Sequence, residues 1–219
     1  MTATPRQTLD PRLLEALTSS DSSRRLKTVL TLGSEPDPAL IDALIERCAV
    51  EPDFFVRDML TWALVRLPAD RTVPRLLAEL RSERPQARSQ ALHTLSKIGD
   101  PSVWPSITTD LLHDADDEVA RTAWRTAVVL VPAGQEAALA AELVRELGRG
   151  GRDVQLSLSR ALIELGEVIL PVLAPALASR ADAVRLHARA TEQLLADPES
   201  TFAVEEAKRV YAMGPDADR

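Results

Sequence analysis

One short pattern recurs five times along this 219-residue chain. An apolar residue is followed by a basic residue and then by small or leucine-like residues at offsets of 4, 7, 8 and 11 in the first copy. That copy begins at Val56, and the later ones begin at Ala87, Val119, Val154 and Val184, so the spacings are 31, 32, 35 and 30 residues. A period near 32 is typical of a repeat array, whose units must stack because none buries its apolar face alone.

The spacing within one copy predicts a helix. Val56, Leu60, Leu64 and Leu67 lie on one stripe at 3.6 residues per turn. A second set of apolar segments alternates with these helices, and no alternating β-branched run competes with them. We therefore predict an all-α fold, an α-solenoid of about six stacked helical hairpins. The repeat-bearing second helices are placed at residues 22–32, 54–67, 86–98, 117–131, 153–165 and 183–196.

Composition narrows the class of protein. Apolar residues make up 45% of the chain and charged residues 27%, as in an ordinary globular protein. No apolar run reaches the roughly 18 residues that cross a membrane, and the start, MTATPRQTLD, lacks a secretory pattern. We expect a cytoplasmic location. Arginine outnumbers lysine heavily, which suggests a GC-rich bacterial gene, and the net charge of −7 argues against general affinity for nucleic acid or anionic membranes.

The repeated segments resemble a known family. The stretches FFVRDMLTWALVRLP, QARSQALHTLSKIGDP and DVQLSLSRALIELG are similar to the short bacterial HEAT repeat, also described as phycobilisome-lyase-like, and the resemblance covers about residues 9–211. It implies a right-handed, armadillo-like superhelix with the second helices on the concave side. The domain prediction is a single domain over 1–219. It comprises a capping hairpin at 9–33, repeats at 37–196, a capping helix at 197–212 and a tail at 213–219.

The positions that vary between repeats indicate a binding surface. If the Val56 stripe is buried, a helical wheel points Asp58 and Trp62 the opposite way, into the groove. Equivalent positions give a row of variable residues, with Arg121 beside it and Trp124 flanking it. The row and its neighbours are Trp62, His93, Arg121, Trp124, Arg125, Arg160 and Ala190. The tryptophans would act as apolar anchors, and the histidine and arginines as polar and charged contacts.

Charge is distributed unevenly between the two helix sets. The second helices carry +6 and the rest of the chain −13, which favours an acidic partner for a positive groove. Part of this excess has a structural explanation in the HEAT family, where arginines at one repeat position usually bridge neighbouring units. By resemblance, an inter-repeat ladder is expected from Asp53, Arg57, Arg88, Asp116 and Arg185.

Motifs for catalysis and metal binding are missing from the sequence. The three histidines, His93, His113 and His187, are far apart and form no His-Glu-x-x-His pattern, so we expect no metal and no other cofactor. There is no Gly-x-Ser-x-Gly elbow, and Cys48 sits in an apolar helical segment that favours a packing role.

Two alternatives to a plain scaffold stay open. HEAT-like alkylpurine DNA glycosylases use tryptophans and an aspartate in a groove, and Asp58 would be the catalytic candidate here. A chromophore-lyase-like subunit rests on the repeat name alone. The interpretation that we favour is a non-catalytic scaffold or adaptor that binds a protein or an acidic peptide in its concave groove. The sequence does not indicate the oligomeric state.

Overall fold

A computed structural model describes residues 11–197 of the chain. Twelve α-helices and four 3₁₀ turns fill this range, and it contains no strand, so the predicted all-α fold of the α-solenoid class is confirmed. The helices are α1 Pro11–Leu17, α2 Ser22–Ser34, α3 Ile41–Cys48, α4 Phe54–Val65, α5 Ala69–Glu79, α6 Pro85–Ile98, α7 Thr109–Leu112, α8 Asp117–Leu130, α9 Glu136–Leu143, α10 Arg152–Glu164, α11 Leu170–Leu177 and α12 Asp182–Ala196. The 3₁₀ turns are Pro38–Leu40, Pro101–Ser106, Val144–Glu146 and Gly166–Ile169.

The chain divides into two compact units, residues 1–106 and 107–219. In the first, α2, α4 and α6 pack side by side as one layer, and α3 packs against α5. In the second, α8, α10 and α12 form one layer, and α9 packs against α11. The single domain stays a prediction, and the expected helix at 197–212 and tail at 213–219 lie outside the described residues, apart from Asp197.

The repeat stripe forms the core, as its spacing predicts. Val56, Leu60 and Leu64 are at most 1% exposed, and so are Leu95 and Leu158 at the corresponding positions of later copies. Aspartate side chains cap three of the second helices, α2, α4 and α8. The carboxylate of Asp53 accepts the amides of Phe55 and Val56 at 2.9 and 3.1 Å, because the first amides of a helix have no partner within it.

The inter-repeat ladder expected from Asp53, Arg57, Arg88, Asp116 and Arg185 stays a prediction. Asp53 and Asp116 cap the helices that they precede. Four arginines near the start of second helices donate from Nη1 to the carbonyl six residues earlier, within their own hairpins. These contacts are Arg25 to Ser19, Arg57 to Glu51, Arg88 to Ser82 and Arg185 to Ser179, at 2.6–2.8 Å. The arginines thus satisfy turn carbonyls that would otherwise be buried without a donor.

Two hairpins lack this arginine, and one of them obtains the donor from its neighbour. The equivalent position in α8 is Ala120, whose turn carbonyl is that of Asp114. Arg149, from the turn before α10, reaches back and donates Nη2 to this carbonyl at 2.5 Å. Its Nε also pairs with Asp117 at 2.9 Å. An arginine does link neighbouring repeats here, but it lies outside the repeat pattern.

A buried ion pair joins the first two hairpins. The Glu51 side chain is fully buried and accepts Arg25 from α2 at 2.7 and 2.8 Å, and Arg47 from α3 at 2.8 Å. The amide of Asp53 donates to the same carboxylate at 2.9 Å. Burial works against the charge, but these hydrogen bonds hold the pKa of Glu51 below its usual value. Because these donors surround the Glu51 carboxylate, its charge is tolerated in the core.

We predict that Glu51→Ala destabilises the protein far more than Asp42→Ala. Removing Glu51 leaves the buried Arg25 guanidinium without its counter-ion, which costs about 3–5 kcal/mol. Asp42 pairs with Arg75 at 2.7 Å, but both side chains are more than half exposed, so its loss costs less than about 1 kcal/mol. Urea unfolding followed by circular dichroism measures both. Equal losses of unfolding free energy in the two variants would show that the Glu51 ion pair does not stabilise the fold.

A buried histidine joins α12 to the preceding hairpin. His187 is 0% exposed. Its Nδ1 accepts the amide of Gly148 at 3.0 Å, and its Nε2 lies 2.9 Å from the carbonyl of Gln155 and 3.0 Å from Ser159 Oγ. An acceptor at Nδ1 and a donor at Nε2 define the neutral ring. Burial lowers the pKa of His187 to about 4.

Acid should therefore destabilise this part of the fold through His187. The folded pKa of about 4 lies below the unfolded value of about 6.5, so the unfolded chain binds the proton first and stability falls as the pH drops from 6.5 towards 4. The expected loss is about 3 kcal/mol. His187→Gln keeps a donor and an acceptor but cannot titrate, so its unfolding free energy should change less between pH 7 and pH 4.5. An equally steep change would contradict the prediction.

Candidate binding surfaces

Trp62 forms part of a surface on the first unit. Its indole is half-buried and packs against Gly33 of α2. A Cβ added at Gly33 would lie 2.1 Å from the ring. The Arg66 guanidinium lies 5.1 Å from the ring centroid, and its Nε donates to the carbonyl of Gly33 at 2.7 Å. His93 holds the equivalent position on α6, which packs beside α4, and is also half-buried. Both side chains are thus on the second-helix layer but only partly accessible.

The prediction that Trp124 flanks the binding groove is wrong. Its side chain is 0% exposed, and its indole Nε1 donates to the carbonyl of Leu112 at 2.8 Å. The Arg149 guanidinium lies 5.9 Å from its ring centroid. Trp124 is one position round the helix from Arg125, and that rotation of about 100° turns it into the core of its hairpin.

Three arginines of the second unit form what we call the arginine face: Arg121, Arg125 and Arg160. Arg125 and Arg160 occupy the same repeat position on α8 and α10, which pack against each other, and both are exposed. Arg121, one turn before Arg125, pairs with Glu118 at 2.5 Å, while its buried Nε has no hydrogen-bond partner. Among the described residues, Arg160 forms no ion pair, not even with Glu164 one turn further along α10.

The charge on the arginine face is incompletely balanced. Desolvation and the positive charge of Arg121 lower the pKa of Arg125, and the carboxylate of Glu118 offsets this only in part. Arg125 itself bonds only the hydroxyl of Thr122, at 3.1 Å. The arrangement therefore favours an added anion, which would relieve the repulsion and occupy free guanidinium N–H groups.

The predicted row does not continue onto α12. Ala190 is 3% exposed and belongs to the core with Leu194. Leu156 and Ile163 of α10, which flank Arg160 on the wheel, are partly buried against this pair. The register of the exposed face has drifted by α12, so the arginine face ends at α10.

The remaining titratable groups serve structural contacts. His113 lies between two glutamates, with Nε2 2.5 Å from Glu142 and Nδ1 2.5 Å from Glu146. Burial lowers its pKa, but the bonds to both carboxylates outweigh this and raise the pKa of His113 above its usual value. Cys48 is buried, which raises its pKa to about 12. In residues 11–197, no group of three or more histidine, cysteine or acidic side chains could hold a metal ion.

Sequence reasoning missed an aromatic pair at the start of α4. Phe54 and Phe55 are 66% and 70% exposed, the highest values among the large apolar side chains that the structure describes. Their rings meet edge to face with centroids 5.7 Å apart. The sequence does contain a signal for this pair, since every other described second helix begins with polar, proline or alanine residues at these two positions.

Comparison with sequence families finds a match for the middle of the chain. Residues 56–128 match the sequence family of HEAT repeats. They run from α4 to near the end of α8 and include three copies of the pattern that begins at Val56. No helix in the described range is long and apolar enough to cross a membrane.

Two solved structures share a similar helical arrangement at low identity. Human deoxyhypusine hydroxylase, in complex with glycerol, is 20% identical over 94% of this chain and 90% of its own, with a TM-score of 0.46. An engineered protein is 20% identical over 84% of this chain and 95% of its own, with a TM-score of 0.42. A search of curated protein sequences finds no match. The family match at residues 56–128 supports a HEAT-repeat protein.

Proposed function

We propose that this protein is a non-catalytic HEAT-repeat scaffold or adaptor that binds an acidic segment of a partner protein on the arginine face. The observation that carries the proposal is the pair Arg125 and Arg160. Both are exposed and hold equivalent positions on packed helices, and neither pairs with a carboxylate among residues 11–197. Adjacent helix axes lie about 8–10 Å apart, so one acidic segment can contact both.

The rest of the chain makes this face selective. The net charge is −7, so acidic partners are repelled elsewhere and attracted where the arginines gather. The repeat arginines Arg57 and Arg88 do not add to the face in the same way, because their guanidinium groups donate to turn carbonyls. Trp62 and His93, in the first unit, form a second part of the proposed contact surface. A cytoplasmic location and a bacterial source belong to the same proposal.

The glycosylase alternative has less support than the scaffold. It draws on two tryptophans and Asp58, and one of those tryptophans, Trp124, is fully buried and donates to a backbone carbonyl. A base cannot stack on a ring in that position. Asp58 is exposed on α4, which is the environment of an ordinary solvated carboxylate.

Charge reversal on the arginine face tests the proposal. In quantitative affinity capture from the source cells, the Arg125→Glu, Arg160→Glu variant should capture at least about tenfold less of a partner that the wild type retains. The reason is that the attraction between the arginine face and an acidic segment becomes repulsion. The same partner should bind wild type more weakly as salt rises.

The matched control carries the same change in charge elsewhere. Arg71 and Arg180 are exposed and lie off the arginine face, on α5 and in the turn before α12. Arg71→Glu, Arg180→Glu should retain the partner. If both double variants, folded by circular dichroism, capture the same proteins in the same amounts as wild type, the arginine face is not the binding surface.

A further inference from the structure

The aromatic pair Phe54 and Phe55 has no role in holding α4 in place. The helix is capped by Asp53 and buried through Val56, Leu60 and Leu64, while both phenyl rings project outward. The Arg57 guanidinium lies 6.0 Å from the Phe54 centroid, but it is anchored to the carbonyls of Glu51 and Pro52. Exposed aromatic side chains of this size are costly in water and mark contact sites when they cluster.

The other repeats provide an internal control. The first two positions of the other described second helices are Ser22–Ser23, Pro85–Gln86, Asp117–Glu118, Arg152–Asp153 and Asp182–Ala183. Six residues before the start of the repeat pattern, where the second hairpin has the exposed Val50, the later copies have Arg81, His113, Gly148 and Ala178. The fold therefore does not need large apolar side chains at these places, and only the second hairpin carries them.

An open cleft in the first unit is lined by Val50. This residue precedes Phe54 by four positions, in the turn between α3 and α4. The apolar side chains of Leu14, Leu17 and Ala43 line the cleft as well. Its volume is about 490 Å³, within the range of about 300–1,000 Å³ that suits a bound group.

The charges around the cleft are balanced. Three charged side chains line it, Glu46, Arg47 and Arg84. The charge of Arg47 is already engaged by the buried Glu51 at 2.8 Å, which leaves one acidic and one basic group at the rim. An occupant that complements this cleft has little net charge, in contrast to the acidic segment proposed for the arginine face.

The exposed area indicates the size of the occupant. A phenylalanine buries about 150–250 Å², so the exposed parts of the two rings offer about 250–300 Å². A stable dimer needs about 800 Å² from each partner. The patch is therefore too small to hold a second copy of the chain by itself, but it suits a short segment.

We propose that Phe54, Phe55 and Val50, with the cleft that Val50 lines, bind a short segment of a partner protein that presents two or three aliphatic side chains and has low net charge. The aliphatic side chains enter the cleft between α1 and α3, and the phenyl rings cover the segment from one side. This surface is separate from the arginine face and does not depend on the function proposed for it.

Selection from a phage-displayed library of random 12-residue peptides tests the proposal. With the full chain as bait, the enriched peptides should share two or three Leu, Ile, Val or Met residues within one helical turn and have a net charge near zero. A synthetic peptide of the enriched sequence should bind Phe54→Ser, Phe55→Ser at least tenfold more weakly in fluorescence anisotropy. Helix α2 has Ser22 and Ser23 at the equivalent positions. The variant should therefore fold as wild type does, with an unchanged unfolding midpoint.

The matched control removes exposed apolar side chains elsewhere. Val129 and Val168 are 60% and 40% exposed in the second unit, and Val129→Ser, Val168→Ser should bind the peptide as wild type does. No enrichment, equal binding to both double variants, or enrichment solely of acidic peptides that Arg125→Glu, Arg160→Glu no longer binds would overturn the proposal. So would a wild-type dimer in sedimentation that Phe54→Ser, Phe55→Ser dissociates, because the occupant would then be a second copy.

Discussion

The turn between the two helices of each hairpin imposes the main constraint on this fold. It ends one helix and begins another within a few residues, so its carbonyls need donors in a place that water reaches poorly. In four of the six described hairpins an arginine near the start of the second helix supplies them, as Arg57 does for the carbonyls of Glu51 and Pro52. The recurring basic residue of the sequence pattern is thus a ligand of backbone carbonyls.

One of the two hairpins without this arginine shows how the donor can be replaced. With Ala120 at the position, the Asp114 carbonyl is served by Arg149 from the next repeat. Arg149 also pairs with Glu146 at 2.7 Å and lies over the Trp124 ring. Glu146 in turn contacts His113. One missing donor is therefore replaced by a network that spans two repeats, and this network keeps Trp124 and His113 away from any binding role.

Periodicity predicted the parts of the fold that repeat. The helical stripes and the hairpin order follow from local spacing, so one sequence suffices to find them. Contacts between repeats are different, because Glu51 must find Arg25 across 26 residues and no spacing rule connects them. Helical-wheel reasoning placed Arg125 and Arg160 on the exposed face but erred by one position for Trp124, since a rotation of about 100° separates surface from core.

Residues that the repeat leaves undetermined are the ones that distinguish this protein from other arrays of the same kind. Arginines that satisfy turns recur because every hairpin needs them, whereas Arg125 and Arg160 on the packed α8 and α10 meet no such need. The same argument applies to Phe54 and Phe55, whose positions hold small, polar or proline residues in the other hairpins. Their exposure costs solubility without adding to the core. A scaffold that keeps one face cationic and another apolar is suited to segments of different chemistry, because each face excludes what the other attracts.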